Sequence, residues 1–202
     1  MEFIDSRGLA GSNPLIFLKR KMTLPAGKDR VVIFIDGSNF YHGLKENLGF
    51  ANINFEHLVN SLINPEAHKL IRVYYYNAPV NREEKPEKYK NQQRFFEYLR
   101  NLPFFEVKLG RLERRKSGMT EKGVDVKLAV DMVMQAVKNL YDLAILISAD
   151  GDFADAVQAV KDLGKHVAVA YPKGGKFHHL RQICDYNIFL EEGKHIVKRE
   201  NR

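Results

Sequence analysis

Five short runs of β-branched, aliphatic and aromatic residues, at 31–35, 70–76, 104–109, 143–147 and 166–170, are separated by stretches long enough to hold a helix. Near-continuous apolar character marks strands covered on both faces, and the alternation with helices predicts a parallel α/β sheet. The clearest helix spans 124–140, where Val124, Leu128, Ala129, Met132, Ala136 and Val137 share one side at 3.6-residue spacing. Val126, Val130 and Val133 make it apolar elsewhere too, so most of its circumference is expected to be covered. A second helix is predicted over 152–163, with Phe153, Ala156, Val157 and Val160 on one face, stopping before Gly164, a fitting residue just past a helix end. A third is predicted over 92–102. Tyr74, Tyr75 and Tyr76 follow one another along a strand, so their rings alternate between faces and are read as packing, not as a base-stacking platform.

Outside this alternation the pattern fails. Gly8, Gly11, Pro14, Pro25 and Gly27 interrupt the first 29 residues, which are read as an extension, with Met22 an alternative start. The folded domain is placed at 30–192 and a basic tail at 193–202. Residues 111–122 carry the one strong charge run and are read as a polar loop. With 202 residues, 45% of them hydrophobic, the chain suits a single globular core. Its one cysteine, Cys184, excludes an internal disulfide framework and a multi-cysteine zinc site, and fits a reducing, cytoplasmic setting. No run approaches the ~20 apolar residues of a membrane span. The net charge of +7 points to an acidic partner, with nucleic acid the first candidate.

In an open parallel sheet ligands gather beyond the carboxyl ends of the strands, so the residues after each run carry the chemistry. The first run ends in Asp36-Gly37-Ser38-Asn39 and the fourth in Ser148-Ala149-Asp150-Gly151-Asp152, while Asp125 opens the long helix that feeds the fourth strand. Right-handed crossovers set successive strand ends along one rim, where Asp36, Asp125, Asp150 and Asp152 can converge. Four like charges in a small volume repel and raise one another's pKa unless a cation intervenes, and a hard divalent ion, Mg²⁺ or Mn²⁺, is the natural counterpart. Asn39 is read as orienting water or a phosphate oxygen. Each acid also has an ordinary structural role open to it: Asp152 as a helix cap with Asp155 behind it, Asp125 favoured by the helix dipole, and Asp36 to Asn39 as a turn.

Asp131 lies about 240° round the helix from Asp125 and is assigned a supporting role, with Lys127, four residues earlier, its expected partner. Ser148 is placed with it as support. Ser38, Lys127 and the basic run of Arg111, Arg114, Arg115, Lys116 and Lys122 are the candidate substrate contacts, the run having a solvated connection as its plainer reading. His178, His179 and Arg181 are weaker candidates for phosphate. No phosphate-binding glycine loop of either common nucleotide type occurs, and Cys184 has no setting that would activate a thiol.

Taken in order, the segments at 31–39 (VVIFIDGSN), 74–79 (YYYNAP), 122–131 (KGVDVKLAVD) and 144–153 (AILISADGDF) resemble the motifs of the NYN domain, in its bacterial LabA-like branch, over about residues 31–190. The resemblance implies a three-layer, Rossmann-like PIN-type fold, a mostly parallel sheet of five to six strands with helices on both faces. It also implies a metal-dependent ribonuclease. By position the family's acids fall on Asp36, Asp125, Asp150 and Asp152, and its polar companion on Asn39. Asn77 stands where an acid is common and Ala149 where glycine is common. The expected activity is hydrolysis of RNA, preferably single-stranded, at a Mg²⁺ or Mn²⁺ centre. The alternatives are a non-catalytic RNA-binding or regulatory protein, and phosphatase chemistry. Self-association stays open.

Overall fold

The computed structural model describes residues 27–115, 118–174 and 178–200, leaving aside the side chains at 112, 114, 115 and 118–121. Of the expected N-terminal extension, residues 1–26 lie outside the described residues. Asp29 already begins the first strand, β1 (Asp29–Asp36). It is followed by α1 (Gly37–Leu48), α2 (Phe55–Leu62), β2 (His68–Asn77), α3 (Pro86–Arg100) and β3 (Phe105–Leu109). A separate antiparallel hairpin, β4 (Arg111–Arg115) and β5 (Gly118–Lys122), leads into α4 (Val124–Val137). Then come β6 (Leu143–Ile147), a 3-10 turn (Gly151–Phe153), α5 (Ala154–Asp162), β7 (His166–Pro172), α6 (His178–Ile183) and β8 (Tyr186–Leu190).

The main sheet has the order β3-β2-β1-β6-β7-β8, every neighbouring pair parallel. The alternation of β1 side chains explains the layers. Val31, Ile33 and Ile35 point into a core with Phe40 and Leu44 of α1, Phe55, Leu58 and Leu62 of α2, and Phe96 and Leu99 of α3. Val32 and Phe34 point the other way, against Leu128 and Met132 of α4, Val157 and Val160 of α5, and Leu180 of α6. Both faces of β1 are thus sealed, as a near-continuous apolar strand requires. The tyrosines divide as their spacing predicts, Tyr75 into the first core and Tyr76 into the second.

At the amino end of the sheet the Arg30 guanidinium donates to both Asp142 carboxylate oxygens, at 2.9 and 2.8 Å, and to the Asn139 carbonyl, fastening β1 to the segment before β6. The guanidinium holds the Asp142 carboxyl well below the usual carboxylate range.

Several elements depart from the sequence reading. The charged run is a hairpin and not a loop: Lys122 bridges to Glu113 at 2.8 Å across the strands, and a diagonal opposite-charge pair of this kind supports a two-stranded ribbon. Helix α3 begins at Pro86, six residues before the expected start, because Pro opens a turn of polar residues with no apolar period to betray it. The sixth strand, β8, lies at the sheet edge and is mostly exposed, so its residues carry little strand pattern. Residues 193–200, basic in sequence, pack onto the body: Ile196 is wholly buried, and backbone bonds join Asn54 to Val197 and Arg199 to Asn52. The face of α4 that includes Val126 and Val130 is exposed, contrary to expectation.

Glycine at 43, inside α1, is fixed by contact: a Cβ there would run into the Tyr171 phenol from the end of β7. Alanine in a helix interior would ordinarily gain up to about 1 kcal/mol over glycine. Overpacking a buried tyrosine costs about 1–3 kcal/mol, so the clash wins. Gly43→Ala is expected to lower the thermal midpoint by several degrees, and adding Tyr171→Phe should recover part of the loss, as calorimetry of the two variants would show.

Candidate functional site

The site lies where the chain direction reverses within the sheet. Strand β1 sits between β2, reached through α1 and α2 on one face, and β6, whose onward connection through α5 runs on the other. The carboxyl ends of β1 and β6 therefore flank a crevice at the topological switch point. Asp36 closes β1, and the segment 148–152 follows β6 directly.

Asp36 is 3% exposed. Its Oδ1 accepts the Asn39 backbone N–H at 3.1 Å, capping α1, and its Oδ2 accepts the Ser148 hydroxyl at 3.1 Å. That same Ser148 oxygen, fully buried, accepts the Asp150 backbone N–H at 3.1 Å. The Asn39 side-chain oxygen accepts the Ala149 N–H at 2.9 Å. These bonds clasp the first turn of α1 to the end of β6. They commit the amide oxygen of Asn39 to holding the site and leave its Nδ2 group for any other work. They set the Ser148 hydroxyl between the Asp36 carboxylate and the Asp150 N–H.

Asp150 caps the 3-10 turn, its Oδ1 accepting the Asp152 N–H at 3.0 Å. The capping role thus falls on Asp150, not on Asp152, which stands exposed within the turn. Asp125 is in the first turn of α4, whose start is set by Gly123 in the left-handed region (φ 76°) with no side-chain cap.

The electrostatics tie the four acids together. The Asp36 carboxyl is pushed up to about 6, by burial first and then by the charges of Asp125 and Asp150, against the two hydrogen bonds that lower it. Asp125 is raised by partial burial and then by Asp150 and Asp152. None of the four forms an ion pair among the described residues. The lysines near the rim are engaged elsewhere: Lys122 with Glu113, Lys127 with the Leu109 carbonyl at 3.2 Å, and Lys108 with Asp131 at 2.8 Å.

The donor set is all carboxylate oxygen, uncompensated and mutually repelling, which is the chemistry that suits a hard divalent cation. As the side chains stand, no three His, Cys, Asp or Glu groups among the described residues are gathered into a set that could hold one.

Asp131 belongs to a different cluster. It accepts from the Tyr76 hydroxyl at 2.9 Å and from Lys108, whose ammonium lies 4.5 Å from the Tyr74 ring centre. Lys127 is therefore not its partner, and Asp131 locks α4 to β2 and β3. Ser38 and Arg111 are exposed; Arg114 and Arg115 lie in β4 with side chains outside the described set, and Lys116 lies outside the described residues. His179, exposed on α6, comes within 3.5 Å of where a Cβ on Gly151 would sit, so it borders the Asp150–Asp152 turn. Arg181 turns to Phe189 instead. Cys184 is buried, and burial pushes its thiol up to about 12, far from a nucleophile.

One feature carried no sequence signal: a cavity of about 630 Å³ that starts at Gly37 and Ser38, beside Asp36, and is lined by Phe55, Tyr75 and Phe95. It is assembled from four separate elements.

The sequence profile of the NYN domain matches residues 30–191. The chain is 23% identical over 178 residues to "Low amplitude and bright protein LabA" of Synechococcus elongatus, covering 86% of this chain and 90% of that protein. Among solved structures it is similar to the crystal structure of a protein of unknown function, VPA0982, from Vibrio parahaemolyticus. The TM-score there is 0.69 at 22% identity, over 84% of this chain and 97% of the other.

Ionising Asp36 opposes folding. Its carboxyl takes up a proton more readily in the folded protein (about 6) than in the unfolded chain (3.8), so its favourable contribution is complete below about pH 4 and is lost as pH rises through 6. Asp36→Asn, measured by urea unfolding with chelator present, should be more stable than the parent by about 2–3 kcal/mol at pH 7.5 and near parity at pH 4. A pH-independent difference would contradict this account of the carboxylate.

Proposed function

Because the chain belongs to the NYN domain family, whose fold is that of PIN-like nucleases, we propose that it is a metal-dependent ribonuclease acting on single-stranded RNA at Asp36, Asp125, Asp150 and Asp152. The observation that carries this reading is the Asp36 carboxylate, raised by burial and further by like-charged neighbours, with no ion-pair partner among the described residues. A protein has little reason to maintain such repulsion at the ligand-binding edge of its sheet unless a positively charged species answers it.

Asp36 and Asp150 are the principal ligands for Mg²⁺ or Mn²⁺, with Asp125 and Asp152 completing the set. When bound, the ion supplies a water of lowered pKa and offsets the charge of the phosphodiester. The chain's own part is positional. Ser148 and the Asn39 N–H hold both Asp36 oxygens in place, and the Asn39 amide keeps the end of β6 against α1. The charged run 111–122, which leads into α4 and has Arg111 exposed, supplies the positive charge that draws the RNA backbone in. The cavity beside Asp36 accommodates a base splayed out of its strand, against half-exposed Tyr41 and with Lys45 and Lys88 at its margin. Only an unpaired strand can offer one, which favours single-stranded substrate. Cys184, the lone thiol, suits a cytoplasmic setting, and among the described residues no helix is long and apolar enough to cross a membrane.

A second reading is favoured by one observation, the absence of a gathered metal set among the described acids. On that reading the protein binds RNA through the same rim without cleaving it.

Incubation with a single-stranded RNA and Mn²⁺ distinguishes them. Cleavage should be abolished by chelator and should fall at least about 100-fold in Asp36→Asn and in Asp150→Asn, while calorimetric Mn²⁺ uptake is lost in parallel. Turnover that survives both substitutions undiminished would defeat the site assignment. Salt-sensitive RNA binding with neither turnover nor Mn²⁺ uptake would establish the second reading. Tyr41→Ala is expected to weaken binding of single-stranded RNA by about 10-fold, as base stacking on an aromatic ring is worth ~1–3 kcal/mol.

A further inference from the structure

Helix α4 has two apolar faces, and the fold uses only one. Leu128, Met132 and Ala136 are buried against the sheet and α5. Round the helix from them, Val126 is 66% exposed, Val130 52%, Val137 57% and, just past the helix end, Leu140 44%, with half-buried Val133 between them and Met134 alongside. The positions 126, 130, 133 and 137 are spaced four, three and four residues apart and line one face of the helix from its first turn to its last, with Leu140 beyond the left-handed Asn139 (φ 53°) at its end. An apolar helix surface of this kind calls for cover. The exposed side chains present on the order of 400 Å² in one contiguous strip, as large as the patches that mark interaction sites.

We propose that α4 is a self-association helix, two copies of this chain packing antiparallel along this seam about a twofold axis near Val133. A twofold contact uses the same strip from both partners, and an apolar strip along the length of one helix supplies both sides of it. Charge sets the direction. A parallel pair would bring together the two amino ends of α4, each with Asp125 and the acid cluster beside it. An antiparallel pair sets that end against the carboxyl end of the other helix, where Lys138 lies, and opposes the helix dipoles favourably. The size of the strip sets the strength. About 800 Å² for the pair falls short of the ~1,200 Å² of standard interfaces, so the dimer is reversible and forms in the micromolar range.

The chain's own N-terminal residues are the competing occupant, since Arg30 bonds Asn139 at the carboxyl end of α4 and residues 1–26 precede it. Their one apolar run, 15–18, spans at most about 14 Å extended, against about 17 Å from position 126 to 137. A second copy matches the whole seam.

Sedimentation velocity on the full chain, without RNA or metal, tests this apart from the ribonuclease reading. The mass is expected to rise from 23.3 kDa toward twice that value between about 1 and 200 µM. Val130→Glu/Val137→Glu should stay at the monomer mass with its thermal midpoint little changed, both sites being exposed. In Val130→Cys, labelling of the introduced thiol should slow as concentration rises, Cys184 being buried. A monomer throughout that range, or a dimer indifferent to the double substitution, overturns the proposal. So does an introduced thiol shielded equally at every concentration, which would give the face to the chain's own residues.

Discussion

The site depends on keeping a carboxylate out of water at the end of the central strand. Asp36 has nearly no contact with solvent, and among the described residues the charges that act on it are the acids Asp125 and Asp150. Such a group persists because its two oxygens are satisfied by different elements, one by the N–H of the helix it caps and the other by a serine hydroxyl from the adjacent strand end. The same bonds make it costly to move. Displacing Asp36 would uncap α1, orphan the buried Ser148 hydroxyl and loosen the turn that presents Asp150.

Around that point the topology does the positioning. Because β1 sends its connection to one face and β6 to the other, a crevice opens between their carboxyl ends, where Asp36 and the segment 148–152 lie. Burial first, and then the charge of Asp150, raises both Asp36 and Asp125, with Asp125 adding to the rise of Asp36. Cations are near but committed: Lys108 holds Asp131, and Lys122 holds Glu113. The hairpin between β3 and α4 pairs its strands antiparallel through the backbone, with Lys122 bridging to Glu113 across them, so the basic segment enters α4 from an ordered ladder.

The strands were legible because each central one is sealed on both faces, which forces an unbroken apolar run: 31–35 and 143–147 read directly as β1 and β6. Elements governed by other forces were not. Helix α3 opens with a polar turn behind Pro86, and β8 is an edge strand with most of its side chains in solvent, so neither shows the period that burial imposes. The apolar content of α4 was visible as well, but its amount said nothing about what would cover it; the fold takes one face and leaves Val126, Val130 and Val137 outside.

For the site the division is similar. Sequence alone determined which acids follow the strands, since strand ends can be counted along a chain and the rim they share follows from crossover handedness. Tertiary structure alone decided what each does to the others. Asp131, on the same helix as Asp125, turns to Tyr76 and Lys108 and leaves the group, while Ser148 and Asn39 become the struts of Asp36. The reason is one of range. Burial and periodicity are imprinted locally on every residue, whereas a hydrogen bond between residues 36 and 148, or a cavity walled by four elements, exists only once distant segments have been brought together.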